Sequence, residues 1–138
     1  MSYLLDTNVV SEARKPTGDA NVKAWFAATS SSQLFLSVLV LGEIRQGIER
    51  LRRRDRTQAQ LLDAWLAMLR ERYGDRLLPI TGEIADEWGR LNVPDPLPAV
   101  DGLLAATARV HSLTLVTRNV ADVERTGVRL LNPFAGSG

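Results

Sequence analysis

The chain contains no cysteine and one histidine, His111, in 138 residues. Disulfides and thiolate metal sites are therefore excluded, and a zinc site built on several histidines has no ligands to draw on. Any metal held here is a hard cation bound through oxygen. No apolar run approaches the roughly 18 residues that a membrane span requires, and the N-terminus lacks a basic stretch followed by a long apolar one. A cytoplasmic protein without membrane attachment is the expectation. Net charge is equally sparse, at +1, although a near-zero total leaves opposite charges free to segregate over the surface. With 45% hydrophobic and 24% charged residues, the composition is globular and argues against disordered, collagenous and membrane classes. The length suits one domain spanning 1–138, able to bury about two-thirds of its unfolded surface around a single core. Residues 134–138 are expected to form a flexible C-terminal tail, ending in a loose Gly136-Ser137-Gly138.

What the sequence does contain begins at its start. Tyr3-Leu4-Leu5 is a short apolar run that stops at Asp6. Apolar residues without alternation suit a strand buried on both faces, as in parallel sheets covered by helices on each side. Ligands of such sheets bind outside the carboxyl ends of the strands, where Asp6 stands. Thr7 to Arg14 predicts a short helix closed by Pro16-Thr17-Gly18, and Asp19 caps a second one carrying Val22, Trp25 and Phe26. Leu34-Phe35-Leu36 reads as the second strand, with Ser37 as the cap of a helix from Val38 to about Leu51. There Leu41, Ile44, Ile48 and Leu51 form the buried stripe, and Glu43 looks elsewhere. Thr57 to Tyr73 is the longest amphipathic segment, with Leu62, Trp65, Leu66, Leu69 and Tyr73 on one face and Gly74 as its stop.

Leu77-Leu78-Pro79-Ile80 predicts a third strand, placed at an edge by its proline, and Thr81, Ile84 and Trp88 open another helix. Asp95-Pro96 has the form of a cap and first helical position, for a helix running to about His111 through Val100, Leu103, Leu104 and Ala108. Leu113 to Thr117 is a fourth strand, Arg118 to Glu124 a loop or short turn, and Val128 to Leu131 a fifth strand. Strands alternating with helices imply an α/β fold, a three-layer α/β/α sandwich with a mostly parallel central sheet of four or five strands. Residues 50–56 hold five arginines in seven, which form either a solvated turn between helices or a sequence-independent contact for phosphates.

Four acidic residues stand out by position: Asp6, Glu43 and Asp122 fall at the carboxyl end of the sheet if the strands are parallel, and Asp101 can approach that end from the start of the helix leading to strand four. Each alone has a simple account: Asp101 favours a helix N-terminus, Asp122 suits a turn, and Glu43 pairs with Arg45 or Arg50. Taken together, they are selected by one topological rule. Two carboxylates about 5 Å apart repel by roughly 3 kcal/mol at an effective dielectric of 20, so a cluster of them calls for a cation. Magnesium or manganese offsets that repulsion and prefers oxygen ligands. Such an ion activates water for attack on phosphorus and stabilises the leaving oxygen, which is the chemistry of phosphodiester cleavage. Thr7, Asn8, Thr117 and Asn119 are short polar side chains able to orient those carboxylates or bound waters, or to cap helices and turns. A ribonuclease using the substrate's 2′-hydroxyl and two histidines is excluded within one chain, and His111 reads as a helix-end residue. Asn8 stands where an aspartyl-phosphate phosphatase needs a second carboxylate, and no dinucleotide fingerprint or P-loop is present.

Leu4-Leu5-Asp6-Thr7-Asn8-Val9, Leu41-Gly42-Glu43-Ile44-Arg45-Gln46-Gly47, Asp101-Gly102-Leu103-Leu104-Ala105-Ala106-Thr107-Ala108 and Leu115-Val116-Thr117-Arg118-Asn119 resemble the successive motifs of PIN-domain proteins, in order over nearly the whole chain. The VapC-type toxins of bacterial toxin–antitoxin pairs, with their FitB-like branch, are the most similar group. The resemblance implies a magnesium- or manganese-dependent endoribonuclease with metal-binding acids at Asp6, Glu43, Asp101 and Asp122. It also implies a homodimer, and inhibition by a small cognate antitoxin that wraps the toxin and obstructs its cleft. Apolar residues among Leu61, Leu62, Trp65 and Leu69 would serve such a dimer, or the core. Val123 follows Asp122 where many relatives carry an aromatic, so Asp122 or Asn119 supplies the fourth position of the cleft. The alternative reading is a catalytically weak PIN module that binds nucleic acid or protein.

Overall fold

The computed structural model describes residues 1–135. Five strands, all parallel, form its central sheet: β1 (Tyr3–Leu5), β2 (Leu34–Ser37), β3 (Leu77–Leu78), β4 (Thr114–Val116) and β5 (Leu130–Leu131). Their spatial order is β3-β2-β1-β4-β5. Leu4, Leu5, Leu36 and Val116 are wholly inaccessible, and this continuous burial is what a sheet covered on both faces demands. Tyr3 lies in register with Leu34 on one side and Thr114 on the other, so β1 is the middle strand.

Among the described residues, seven helices cover the sheet: α1 (Thr7–Arg14), α2 (Ala20–Ala28), α3 (Val38–Arg52), α4 (Arg56–Tyr73), α5 (Gly82–Leu91), α6 (Ala99–Val110) and α7 (Val120–Val123). The chain steps from β1 through β2 to β3 in one direction, then crosses to β4 and β5 on the other side of β1. Right-handed crossovers between parallel strands therefore place α1–α4 on one face and α5–α7 on the opposite one. The helix contacts follow this division: α1 packs with α2 and α3, and α3 with α4, whereas α6 packs with α5 and α7. Val9, Val40, Ile44 and Ile48 enter the core from the first group, and Leu104, Ala105 and Val123 from the second. The order of strands reverses between β1 and β4, and the crevice outside the carboxyl ends at such a reversal is where open α/β sheets bind ligands.

Several local expectations need correction. The helix carrying Asp101 begins at Ala99, with Pro98 in the cap position and no side-chain cap bond, rather than at Asp95-Pro96. A proline disfavours helical geometry in the residue before it, so Pro98 keeps Leu97 out of the helix. Asp101 thereby becomes the third helical residue. The α4 helix starts at Arg56 because Asp55 caps it, accepting the Gln58 N–H at 3.0 Å. Strand β5 is confined to two residues, and residues 118–124 include the short helix α7. Phe134 and Ala135, expected in a loose tail, form a helical turn with Pro133 against α2, where the Asn21 amide donates to the Phe134 carbonyl at 3.0 Å. The Gly136-Ser137-Gly138 segment lies outside the described residues. In α4, Leu69 is buried and Leu62 and Trp65 are partly so, while Leu61 is 61% exposed.

Candidate active site

Asp6 is placed by the sheet and the helix together. Its N–H donates to the Val116 carbonyl at 2.9 Å, adding one rung to the β1–β4 pairing, while its own carbonyl accepts from Val9 and Val10 to start α1. One carboxylate oxygen, Oδ1, accepts the Thr7 N–H at 2.7 Å. The other, Oδ2, accepts the Thr117 hydroxyl at 2.7 Å, and that hydroxyl accepts the Asn119 N–H at 3.0 Å. A relay from the turn after β4 thus fixes the carboxylate at the end of β1. Asp6 is only 5% exposed, and each of its oxygens retains a second lone pair.

Glu43 lies in the second turn of α3 and accepts a short hydrogen bond from the Thr7 hydroxyl. It is not neutralised by its neighbouring arginine: Arg45 donates to Glu49 and, at 2.7 Å, to Asp63. Asp101 comes from the opposite helical layer. Its carboxyl is pushed up to about 6, first by burial and then by the negative charges of Asp6, Asp122 and Glu43. Acids from four separated segments therefore share one local field. Asp122 lies exposed in α7, whose Val123 is 1% accessible and anchors that short helix in the core. The position after Asp122 is thus an apolar seat that valine fills.

These carboxylates influence one another without closing a cage: no three of the described acids or His111 stand close enough to hold one ion directly. Magnesium is ordinarily held by one or two carboxylates together with waters and substrate phosphates, so an open, all-oxygen donor set matches its preference. Asn8 Oδ1, in the first turn of α1 beside Asp6, is buried and has no hydrogen-bond partner, an acceptor whose need the protein does not meet. The residues present fit a hard divalent cation.

Sequence reasoning singled out Thr7 and Thr117, and both hydroxyls donate to the acids. It missed the packing that seats Asp101. A side chain at Gly102 would come within 3.2 Å of the Trp88 indole, so α5 packs directly on the backbone next to Asp101. It also missed a groove of about 350 Å³ between α1, α3 and α4, in which Ser11 and Arg14 join Thr7 and Glu43. Helical spacing from Thr7 offered a signal, because positions 7, 11 and 14 share one face of α1.

Comparison with known proteins agrees with this geometry. The family model described as PIN domain matches residues 3–127. Toxin FitB of Neisseria gonorrhoeae is 29% identical over 139 residues, covering 95% of this chain and 97% of that protein. A VapC ribonuclease of Sinorhizobium fredii is 31% identical over 135 residues, covering 95% and 96% respectively. The crystal structure of FitAcB from Neisseria gonorrhoeae superposes with a TM-score of 0.88 at 29% identity, over 96% of this chain and 98% of that one. On the match of the family model over residues 3–127, the similarity to these relatives and the parallel sheet, this chain belongs to the PIN-domain family.

Proposed function

We propose that this chain is a divalent-cation-dependent endoribonuclease, the toxin of a two-protein module whose small antitoxin partner holds it inactive. The observation that carries this reading is the gathering of acids at the topological reversal of the sheet, where the Thr117 hydroxyl donates to Asp6 and the Thr7 hydroxyl to Glu43, and where the charges of Asp6, Asp122 and Glu43 push the Asp101 carboxyl up. Relatives named as a ribonuclease and a toxin support the reaction class and the role. Homodimerisation through the partly exposed face of α4 is part of the same proposal.

Asp6 and Asp101 would hold the cation, magnesium or manganese, with Glu43 and Asp122 completing the acidic lining. When bound, the ion supplies Lewis-acid stabilisation of a phosphoryl oxygen and a water of lowered pKa. The chain's own residues do the positioning. Thr117 and the Thr7 N–H fix the two oxygens of Asp6, and the Thr7 hydroxyl turns Glu43 toward the same end of the sheet. Burial and the negative charges of Asp6, Asp122 and Glu43 raise the Asp101 carboxyl to about 6, so below about that pH a proton competes with a cation for this carboxylate.

The test is cleavage of a labelled single-stranded RNA by purified protein with magnesium, with manganese and with excess chelator. Internal cuts that require either metal and stop with chelator are expected. Intact RNA under every metal condition, from protein shown to be folded, would reject the reading.

A further inference from the structure

The arginines divide by what holds them. Arg45 and Arg52 are tied to Glu49 and Asp63, and Arg76, although it lies over Tyr73 at 4.9 Å, gives its N–H groups to backbone carbonyls. Arg14 and Arg118 are different. Each lays its guanidinium on an aromatic ring, Arg14 over Trp65 at 5.4 Å and Arg118 over Phe134 at 4.2 Å. Neither forms an ion pair among the described residues.

A guanidinium held over a ring by cation–π attraction, with none of its N–H groups given to another described residue, keeps its donors for a ligand, and that planar fork matches a phosphate. The stack also removes side-chain freedom that a bare surface arginine would lose on binding. Arg118 directly follows Thr117, whose hydroxyl donates to Asp6, yet its charge is drawn onto Phe134 rather than onto the acids. Phe134 is held in turn by the Asn21 amide. The carboxylates consequently keep their oxygens, and the guanidinium keeps its donors. Arg14 occupies the last turn of α1, roughly 10 Å along the helix from Thr7, in the groove that Thr7 and Glu43 also line. The supporting rings come from separate segments of the chain: Trp65 from α4, which leads to β3, and Phe134 from the turn after β5, which packs on α2.

We infer that Arg14 and Arg118 are phosphate-binding positions, Arg118 in the turn after β4 beside the acidic cluster and Arg14 at the far end of the groove that leads from Thr7 and Glu43 along α1, defining a track by which a single RNA strand reaches the carboxyl end of the sheet. This rests on the ribonuclease reading. Acids gathered for a cation repel the polyanion they are meant to cut, and guanidiniums along the track offset that repulsion without neutralising the acids themselves.

The experiment is fluorescence anisotropy of a labelled single-stranded RNA on the Asp6→Asn protein, which leaves the strand intact, over a series of salt concentrations. Arg14→Ala and Arg118→Ala should each weaken binding roughly tenfold, the effect of one charge-assisted contact. Each should also reduce the slope of log K against log salt by about 0.7, the value for one phosphate contact on a single strand. Arg14→Lys and Arg118→Lys, which keep the charge and lose the fork, should fall between. Arg54→Ala, in the exposed turn between α3 and α4, should leave both quantities unchanged. An unmoved affinity and slope in the Ala double variant, or an effect at only one of the two positions, overturns the track. If that happens while unaltered protein still cleaves RNA, the ribonuclease reading stands and only the track falls. Unaltered protein that neither binds nor cleaves RNA in manganese removes both.

Discussion

Two charged regions of this molecule are built on opposite plans. Between α3 and α4, Arg45 and Arg52 meet Glu49 and Asp63 at 2.7–3.1 Å, and each carboxylate is held below its ordinary range by the guanidiniums hydrogen-bonded to it. At the carboxyl end of the sheet, acids are gathered with hydroxyl donors and no basic partner, and Asp101 is driven the other way. Opposite charges that satisfy one another need nothing further. Like charges brought together by the fold leave an electrostatic need that a proton or a bound cation removes, and such perturbed groups cluster at functional sites.

The largest expected effect falls on the second region. Asp6→Asn should lower cleavage more than 100-fold while the circular dichroism spectrum is retained; cleavage within a few-fold of normal would show that the acids are not a unit. Thr117→Val keeps the shape but leaves Asp6 Oδ2 without its donor and the Asn119 N–H without its acceptor. A loss of about 10- to 100-fold in activity or cation affinity is expected, read by metal titration of cleavage, and an unaffected variant would demote the relay to local turn structure.

A pH series sharpens the contrast further. The folded Asp101 carboxyl, near 6, lies above the ordinary aspartate value near 4. The folded state thus binds the extra proton, and the stability this group contributes is present below about pH 4 and lost as pH rises through 6. In chelator, the thermal midpoint should be lower at pH 7.5 than at pH 5, and Asp101→Asn should flatten that difference. Added magnesium should raise the midpoint more at pH 7.5 than at pH 5, because protonation competes with the ion. A pH profile identical in Asp101→Asn would assign the effect elsewhere.

The smallest effect belongs to the first region. Asp63→Asn should move the thermal midpoint by no more than about 2 °C, since exposed pairs are weak, with the difference fading at high salt and cleavage unchanged. A large loss of cleavage would mean that the helical arm shapes the cleft.

Much of this was legible because local chemistry is written locally. Leu4-Leu5 before Asp6, the helical stripe of Ile44 and Ile48, and the caps at Asp19 and Ser37 all took their expected roles. The start of α6 was misread because Asp95-Pro96 has the chemistry of a cap, while Pro98, two residues on, forbids helical geometry at Leu97. Phe134 was misplaced because a terminal aromatic carries no period, and only its seat beside Arg118 and Asn21 gives it a structure.

The sequence by itself determined the class of the protein: alternating buried strands and helices, and, in the absence of cysteine, only oxygen-bearing side chains and one histidine from which a site could be built. Tertiary structure alone decided that β4 lies beside β1 rather than next to β3, which precedes it in the chain. That choice brings the Thr117 hydroxyl to Asp6 across 111 residues and opens the crevice there. Periodicity reports which face of an element is buried but carries no information about its neighbour. The neighbour is fixed by the handedness of the crossovers and by the packing of two helical layers, which exist only once the chain has folded.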